Sequence, residues 1–288
     1  KLFWRRSMKT VFIVGSGIMG SGIAQLCSQA GYEVCLMDND QKMLGKAFKK
    51  IEWSLNKLEE KSLLKENAGD ILTRIKIENT FENARNTDIV IEAAFENLKT
   101  KHAIFKELEH VCRPDAIFGT NTSSIPITEI ASVLKNPQRF VGIHFFNPVH
   151  KMKLVEIIKG FATSDDTAQK TKEFVFSIGK EPVMVNCDNA GFIVNRINGM
   201  AFLEALQLLE KGVASVEDID KAMRLGLGNP MGPFELMDLV GLDVVLNVRM
   251  GIYNETRQPN HFPPGILKNM VKAGCLGRKT GKGFYEYK

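Results

Sequence analysis

The chain has 288 residues, 38 basic and 33 acidic side chains, a net charge of +5 and 44% apolar residues. That length exceeds what one hydrophobic core usually serves, so a large domain with a smaller companion is expected, and the composition excludes collagen-like, low-complexity and disordered chains. The basic residues are dispersed, which speaks against a nucleic-acid partner, and no apolar run approaches the roughly 20 residues of a membrane-spanning helix, which speaks against a membrane partner.

The opening residues KLFWRRS are basic, aromatic and too short for a signal peptide, so residues 1–8 read as a leader or processing remnant outside the fold. From Thr10 to about Asn186, short apolar strands alternate with amphipathic helices, the signature of a parallel sheet covered on both faces. The strands are expected at Thr10–Val14, Glu33–Asp38, Asp88–Ala94, Ala116–Thr120, Phe140–His144, Met152–Ile158 and Pro182–Asn186. Gln41 to Glu66 carries apolar residues at helical spacing among many lysines and reads as one long helical excursion.

Beyond Gly191 the strands stop. GFIVNRINGMAFLEALQLLEKG reads as one helix ended by Gly212, SVEDIDKAMRLG opens with a Ser215 to Asp218 capping pattern, and PFELMDLVGLDVVLNVRMGIYNE is again helical. A helix as apolar as Phe192 to Leu209 is expected to be buried on nearly all sides, which predicts a subunit interface and a homodimer. The five cysteines lack CxxC spacing and sit mostly in apolar contexts, fitting buried thiols in a reducing compartment, the cytoplasm or, in a eukaryote, the mitochondrial matrix.

Residues 11–40 read VFIVGSGIMGSGIAQLCSQAGYEVCLMDND. Gly15, Gly17 and Gly20 form GxGxxG between a strand and a helix, a spacing that allows a tight turn, backbone approach to a pyrophosphate and close helix packing. The amides of Ile18, Met19 and Gly20 would face the phosphates at the helix N-terminus. Asp38, 18 residues after Gly20, is placed to accept from ribose hydroxyls and to repel a 2′-phosphate, so NAD is favoured over NADP. The expected architecture is α/β: a Rossmann-type doubly wound, mostly parallel sheet over residues 9–187, then a smaller all-helical substrate and dimerisation domain over 188–288.

A dinucleotide fold does not set the reaction, which must come from other residues. GTNTSS, ending a strand, offers Asn121, Ser123 and Ser124 to a substrate oxygen or the nicotinamide. His144 ends one strand and Glu156 lies on the next, so the two can meet as imidazole and carboxylate, a proton shuttle near neutral pH. His150 reads as a loop residue; His102, His110 and His261 read as structural or solvent residues. Asn195 and Arg196 interrupt the apolar start of the first helix of the second domain, and Asn195 is placed to complete a site. No metal-ligand spacing and no serine-hydrolase pattern is present.

The stretches GSGIMGSGIAQ, IEAAFENLKTK, TNTSS, HFFNPVHKMKLVEII, GFIVNR, NPMGPFELMDLVGLD and GRKTGKGFYEY together resemble the L-3-hydroxyacyl-CoA dehydrogenase family, particularly its short 3-hydroxybutyryl-CoA dehydrogenase members. The resemblance runs from about Lys9 to the C-terminus. It implies His144 as catalytic base with Glu156 as its partner, and Ser123 and Asn195 as contacts to the reacting oxygen. It implies Asp38, Ala93, Glu96, Lys101, Asn121, Asn147 and Lys279 as NAD contacts, and Ser54 and Lys61 as holders of the nucleotide end of an acyl-CoA substrate. Two departures flank these positions: His150-Lys151 replace the usual Pro-Val, and Ala190 replaces the usual Pro before GFIVNR.

Two rival readings are open to the fold. A hydroxyisobutyrate-type dehydrogenase relies on an acid-base lysine, and GFIVNR carries none in the corresponding stretch. A redox-silent crystallin-like protein of the same fold would have no chemical need of Ser123, His144, Glu156 and Asn195 together.

Overall fold

The computed structural model describes residues 8–287, so residues 1–7 of the expected leader lie outside the described residues. Met8 is half-buried and packs against the core, so it belongs to the fold rather than to a leader. The chain divides into two compact units, Lys1–Asp188 and Asn189–Lys288.

The first unit contains β1 (Thr10–Val14), α1 (Ile18–Gln29), β2 (Glu33–Met37), α2 (Gln41–Glu60), α3 (Ala68–Thr73), β3 (Ile75–Glu78), β4 (Ile89–Glu92), α4 (Leu98–Val111), β5 (Ile117–Thr120), α5 (Ile127–Ala131), β6 (Phe140–Phe145), β7 (Leu154–Ile158), α6 (Asp165–Ser177) and β8 (Glu181–Val185). The strands form one sheet in the order β3-β2-β1-β4-β5-β6-β7-β8. Only β6 and β7 pair antiparallel among these strands. The central strands are mostly apolar because both of their faces are covered; all four residues of β4 and all six of β6 are buried, Glu92 and His144 among them.

β3 is an addition to the expected strands. Its sequence, IKIE, mixes polar and apolar residues because it lies at the sheet edge with Lys76 and Ile77 exposed, so it lacks the apolar run that marks the inner strands. The helical excursion expected to Glu66 stops at Glu60. Ser62 takes a left-handed φ of 54°, and Asn67 caps α3 by accepting from the Asp70 amide at 2.8 Å. The core of this unit gathers Val11, Ile13 and Ile91 from the sheet and Ile23, Leu44, Ile51, Leu55 and Phe174 from the helices.

The second unit holds α7 (Val194–Glu210), α8 (Val216–Leu227), α9 (Pro233–Val240), α10 (Leu242–Thr256) and α11 (Gly265–Lys272). α7 begins later than expected because Gly191 and Phe192 both have positive φ, 78° and 48°. It buries Phe202, Leu203, Ala205 and Leu206 while Ile197 is 70% exposed, so within the chain it is covered on one side rather than on nearly all. The single helix expected from Pro233 onward is divided at Gly241, whose φ of 101° no helix permits.

Two buried aspartates account for the NPMGPFELMDLVGLD and GKGFYEY stretches. Asp220 accepts from the Phe234 and Glu235 amides at 2.8 and 2.9 Å, which caps α9, and from the Tyr285 hydroxyl at 2.9 Å. Asp238 accepts from the Phe284 and Tyr285 amides at 3.0 Å and from the Tyr287 hydroxyl at 2.9 Å. Gly283 is required beside it, since an added Cβ would lie 2.0 Å from Asp238 Oδ1. Burial and the Asp238 carboxylate push the Tyr287 phenol up to about 12. Replacing Asp238 with Ala leaves three donors without their acceptor, and the unfolding of the helical unit, followed by urea titration, is expected to lose about 3 kcal/mol.

Candidate active site

The glycine turn lies between β1 and α1, and in the strand order β1 stands between β2 and β4, where the direction of sheet growth reverses. Dinucleotides bind outside the carboxyl ends of strands at such a point. Gly15 has φ +102° and an added Cβ would lie 2.6 Å from the Ala93 carbonyl oxygen, so Ala93 sits directly against the turn. An added Cβ on Gly20 would lie 1.8 Å from the Gly15 oxygen, whereas one on Gly17 would meet no atom within 4 Å. Two of the glycines are therefore demanded by packing, and Gly17 faces open space.

α1 begins at Ile18 with Gly17 as its N-cap, and no side chain caps it. The amides of its first turn are thus left to an external acceptor, which suits a pyrophosphate. Asp38, just past β2, accepts from Ser16 through its amide at 2.7 Å and its hydroxyl at 2.8 Å, and from the Asp40 amide at 3.1 Å. A carboxylate offers about four lone-pair sites, so three donors leave room for a ribose hydroxyl. Ser16 was not singled out from sequence; a serine inside a glycine fingerprint carries no distinguishing pattern.

An ionic chain, buried at Glu92 and Lys101 and exposed at Glu96, lies at the carboxyl ends of β4 and β5. Glu92, with no exposed surface, accepts from Lys101 Nζ on both oxygens at 2.8 and 2.9 Å, from the Thr120 hydroxyl at 2.6 Å and from the Ala94 amide at 2.8 Å. Lys101 is 1% exposed and also reaches Glu96 Oε2 at 3.2 Å. Its Nζ therefore meets three carboxylate oxygens, two of Glu92 and one of Glu96. Glu96 Oε1 accepts from the Thr122 hydroxyl at 2.5 Å, the Ser123 amide at 2.9 Å, and the Ser124 amide and hydroxyl at 3.2 Å. Burial works to raise the Glu96 carboxyl, but the charge of Lys101 and these donors outweigh it and hold the group below its ordinary range.

His144 and Glu156 meet across the antiparallel β6–β7 pair as direct register partners. His144 Nδ1 lies 2.8 Å from Glu156 Oε2, with His144 4% exposed and Glu156 fully buried. Asn121 ties this strand end to the preceding loop: its side-chain oxygen accepts from the Phe145 amide at 2.9 Å, and its own amide donates to the Glu92 carbonyl at 2.7 Å. Ser123 follows on the same loop, half-buried. Asn147 is exposed in the β6–β7 connection. Buried Lys180, which sequence reading did not pick out, holds that connection by donating to the Val149 and Met152 carbonyls at 2.6 and 2.8 Å. His150 is exposed there, as its loop reading requires.

Ser54 is half-buried on α2, and exposed Lys61 is that helix's C-terminal cap, seven residues further on. In the helical unit, Asn195 is half-buried in the first turn of α7, and Lys279 Nζ is held by Asp243 Oδ1. His261 is buried beside Arg249 at 2.7 Å, and His102 Nε2 lies 2.9 Å from the Glu129 carbonyl oxygen, both structural contacts. Cys27 and Cys112 are buried as expected, whereas Cys187 is exposed because it lies past the end of β8. Among the described residues no cluster of three metal-ligating side chains is present, and no helix is long and apolar enough to cross a membrane.

A glycine turn under an uncapped helix, joined in one sheet to a buried histidine–carboxylate pair, defines a nicotinamide-dependent oxidoreductase. Comparison with known proteins narrows the class. Residues 10–188 match the 3-hydroxyacyl-CoA dehydrogenase NAD binding domain, and residues 191–287 match the C-terminal domain of the same family. A probable 3-hydroxybutyryl-CoA dehydrogenase of Deinococcus radiodurans is 42% identical over 275 residues, covering 96% of this chain and 99% of the relative. The human mitochondrial hydroxyacyl-coenzyme A dehydrogenase is 43% identical over 289 residues, covering 98% and 92%. The crystal structure of (S)-3-hydroxybutyryl-CoA dehydrogenase from Ralstonia eutropha superposes with a TM-score of 0.94 at 42% identity, covering 98% of this chain and all of that one. The chain belongs to the 3-hydroxyacyl-CoA dehydrogenase family, and its cofactor is NAD.

The two kinds of glycine separate in experiment. Gly17→Ala is expected to leave the melting temperature unchanged while weakening NADH binding by about tenfold or more, because the methyl enters the space a pyrophosphate needs. Gly20→Ala is expected to lower the melting temperature as well, because its Cβ meets backbone.

Proposed function

We propose that this protein interconverts (S)-3-hydroxyacyl-CoA and 3-ketoacyl-CoA, with 3-hydroxybutyryl-CoA and acetoacetyl-CoA as its short-chain substrates. The observation that carries the reading is the buried His144–Glu156 contact of 2.8 Å. With Nδ1–H directed at Glu156, the imidazole presents its Nε2 lone pair as base, and the carboxylate stabilises the imidazolium that forms. In oxidation Nε2 takes the proton of the C3 hydroxyl; in reduction the imidazolium returns it to the forming alkoxide. NAD, when bound, accepts or supplies the hydride at C3.

The Ser123 hydroxyl and the Asn195 amide hold the reacting oxygen, so that proton and hydride leave along set directions. Gly15, Gly17, Ile18, Met19 and Gly20 cradle the pyrophosphate, and Asp38 accepts from the adenine ribose. Ala93, Glu96, Lys101, Asn121, Asn147 and Lys279 serve the cofactor, Lys101 through the carboxylates it holds. Ser54 and Lys61 take the nucleotide end of coenzyme A. Residues 9–187 form the nucleotide-binding domain and 188–288 the substrate and dimerisation domain. Exposed Ile197, Leu225 and Leu227, at 70, 78 and 71%, support a homodimer through the helical unit. The five free thiols support a reducing compartment, cytoplasm or mitochondrial matrix.

The test is reduction of acetoacetyl-CoA followed by loss of reduced-nicotinamide absorbance. The wild type is expected to oxidise NADH rapidly and NADPH poorly, and His144→Ala to reduce kcat by about a thousandfold with NADH binding retained. A wild type that binds NADH yet leaves acetoacetyl-CoA untouched would overturn the substrate assignment.

A further inference from the structure

We infer that Glu92, which touches neither cofactor nor substrate in the proposed reaction, is a positioning residue that sets the placement of Ser123 through Lys101 and Glu96. The inference rests on the role given to Ser123 above and extends it to a buried carboxylate outside the reacting groups.

The geometry is a relay of charges that ends on the Ser123 backbone. Glu92 closes β4 and is paired in register with Val14 of β1 and Thr120 of β5, so its backbone is set by the centre of the sheet. Its carboxylate, fully buried, engages four donor contacts, two of them from Lys101 Nζ at 2.8 and 2.9 Å. Lys101, on the first turn of α4, is equally buried and turns its remaining reach to Glu96 at 3.2 Å. Glu96 in turn gathers the Thr122 hydroxyl and the amides of Ser123 and Ser124 on its Oε1. The loop that presents Ser123 is therefore held by a carboxylate, that carboxylate by an ammonium, and the ammonium by Glu92.

Charge balance explains why the far end of the relay needs a carboxylate. Lys101 is an ammonium removed from water and stands between two anions. Remove the charge at Glu92, and the ammonium has only Glu96 as counter-ion, so Glu96 is drawn toward Lys101 and away from the Thr122 hydroxyl and the Ser123 and Ser124 amides. Breaking one partner of a buried ionic group acts strongly because the other stays charged in low dielectric. An amide at position 92 keeps the shape and loses this charge, which makes Glu92→Gln the informative substitution.

Three readouts test the inference. In the wild-type background Glu92→Gln is expected to lower kcat for acetoacetyl-CoA reduction by about tenfold, and in a Ser123→Ala background by less than about threefold, the non-additivity of residues acting as a unit. Hydrogen exchange is expected to rise in peptides covering residues 122–125 and to stay unchanged in β1 and β2. NADH affinity, read by fluorescence, is expected to fall alongside, since Glu96 also serves the cofactor, and kcat is therefore read at saturating NADH. If Glu92→Gln does not fold, Thr120→Val, which removes one neutral donor to the same carboxylate, takes its place with the same pattern at reduced size.

Equal losses in both backgrounds, or exchange spreading through the whole sheet, would overturn the inference and leave Glu92 as a stabilising residue only. Activity in the wild type with no effect of either substitution overturns it while the proposed reaction stands. A wild type inactive on acetoacetyl-CoA brings down the proposed reaction, and the inference with it.

Discussion

The antiparallel register between β6 and β7 is the constraint on which the candidate site depends. Every other strand pair in the sheet is parallel, joined by connections long enough to cross over. Between Phe145 and Leu154 the chain has too few residues for a crossover helix, so it folds back and lays Glu156 opposite His144. A one-residue slip would send the carboxylate to the other face of the sheet. The His144–Glu156 pair is thus a product of backbone pairing, and Lys180 reinforces it by donating to the carbonyls of the short connection.

Around that pair, the unit holds its buried ions Glu92 and Lys101 in partnership. Glu92, Lys101 and Glu96 form a row that runs from the sheet centre to the Ser123 loop, while Asn121 bridges the same loop to the strand carrying His144. Buried ionic groups are weak evidence for net stability but strong determinants of which arrangement is adopted, since a half-satisfied network is costly. In the helical unit Asp238 pins the C-terminal segment by three donors, and Asp220 holds it by the Tyr285 hydroxyl while capping α9 with two amides.

Much of this was legible in the amino-acid order, for physical reasons that differ from element to element. Inner strands such as VFIV and FVGIHF stand out because burial on both faces leaves them apolar apart from His144. The GxGxxG turn, Asp38 and the His144–Glu156 pair are legible because each depends on local spacing or on neighbouring strand ends. β3 was hidden because an edge strand keeps polar residues, and the end of α2 was hidden because Leu63, Leu64 and Lys65 continue its apolar and basic composition beyond the turn at Ser62. Lys101 shows the limit most clearly. The family resemblance implies it as a cofactor contact, while its ammonium reaches Glu92, nine residues earlier, and no local pattern reports such a tertiary approach. Ser16 and Lys180 escaped for the same reason.

The central claim is that His144 and Glu156 act as a single acid–base unit. It is tested most directly by measuring kcat for His144→Ala, Glu156→Gln and the double variant under one set of conditions, with NADH binding as the control for folding. If the pair acts as a unit, the double variant is no slower than His144→Ala alone, because the carboxylate has no separate route to the substrate. If the two losses multiply, Glu156 contributes by a path that does not pass through the imidazole, and the account of the site is contradicted.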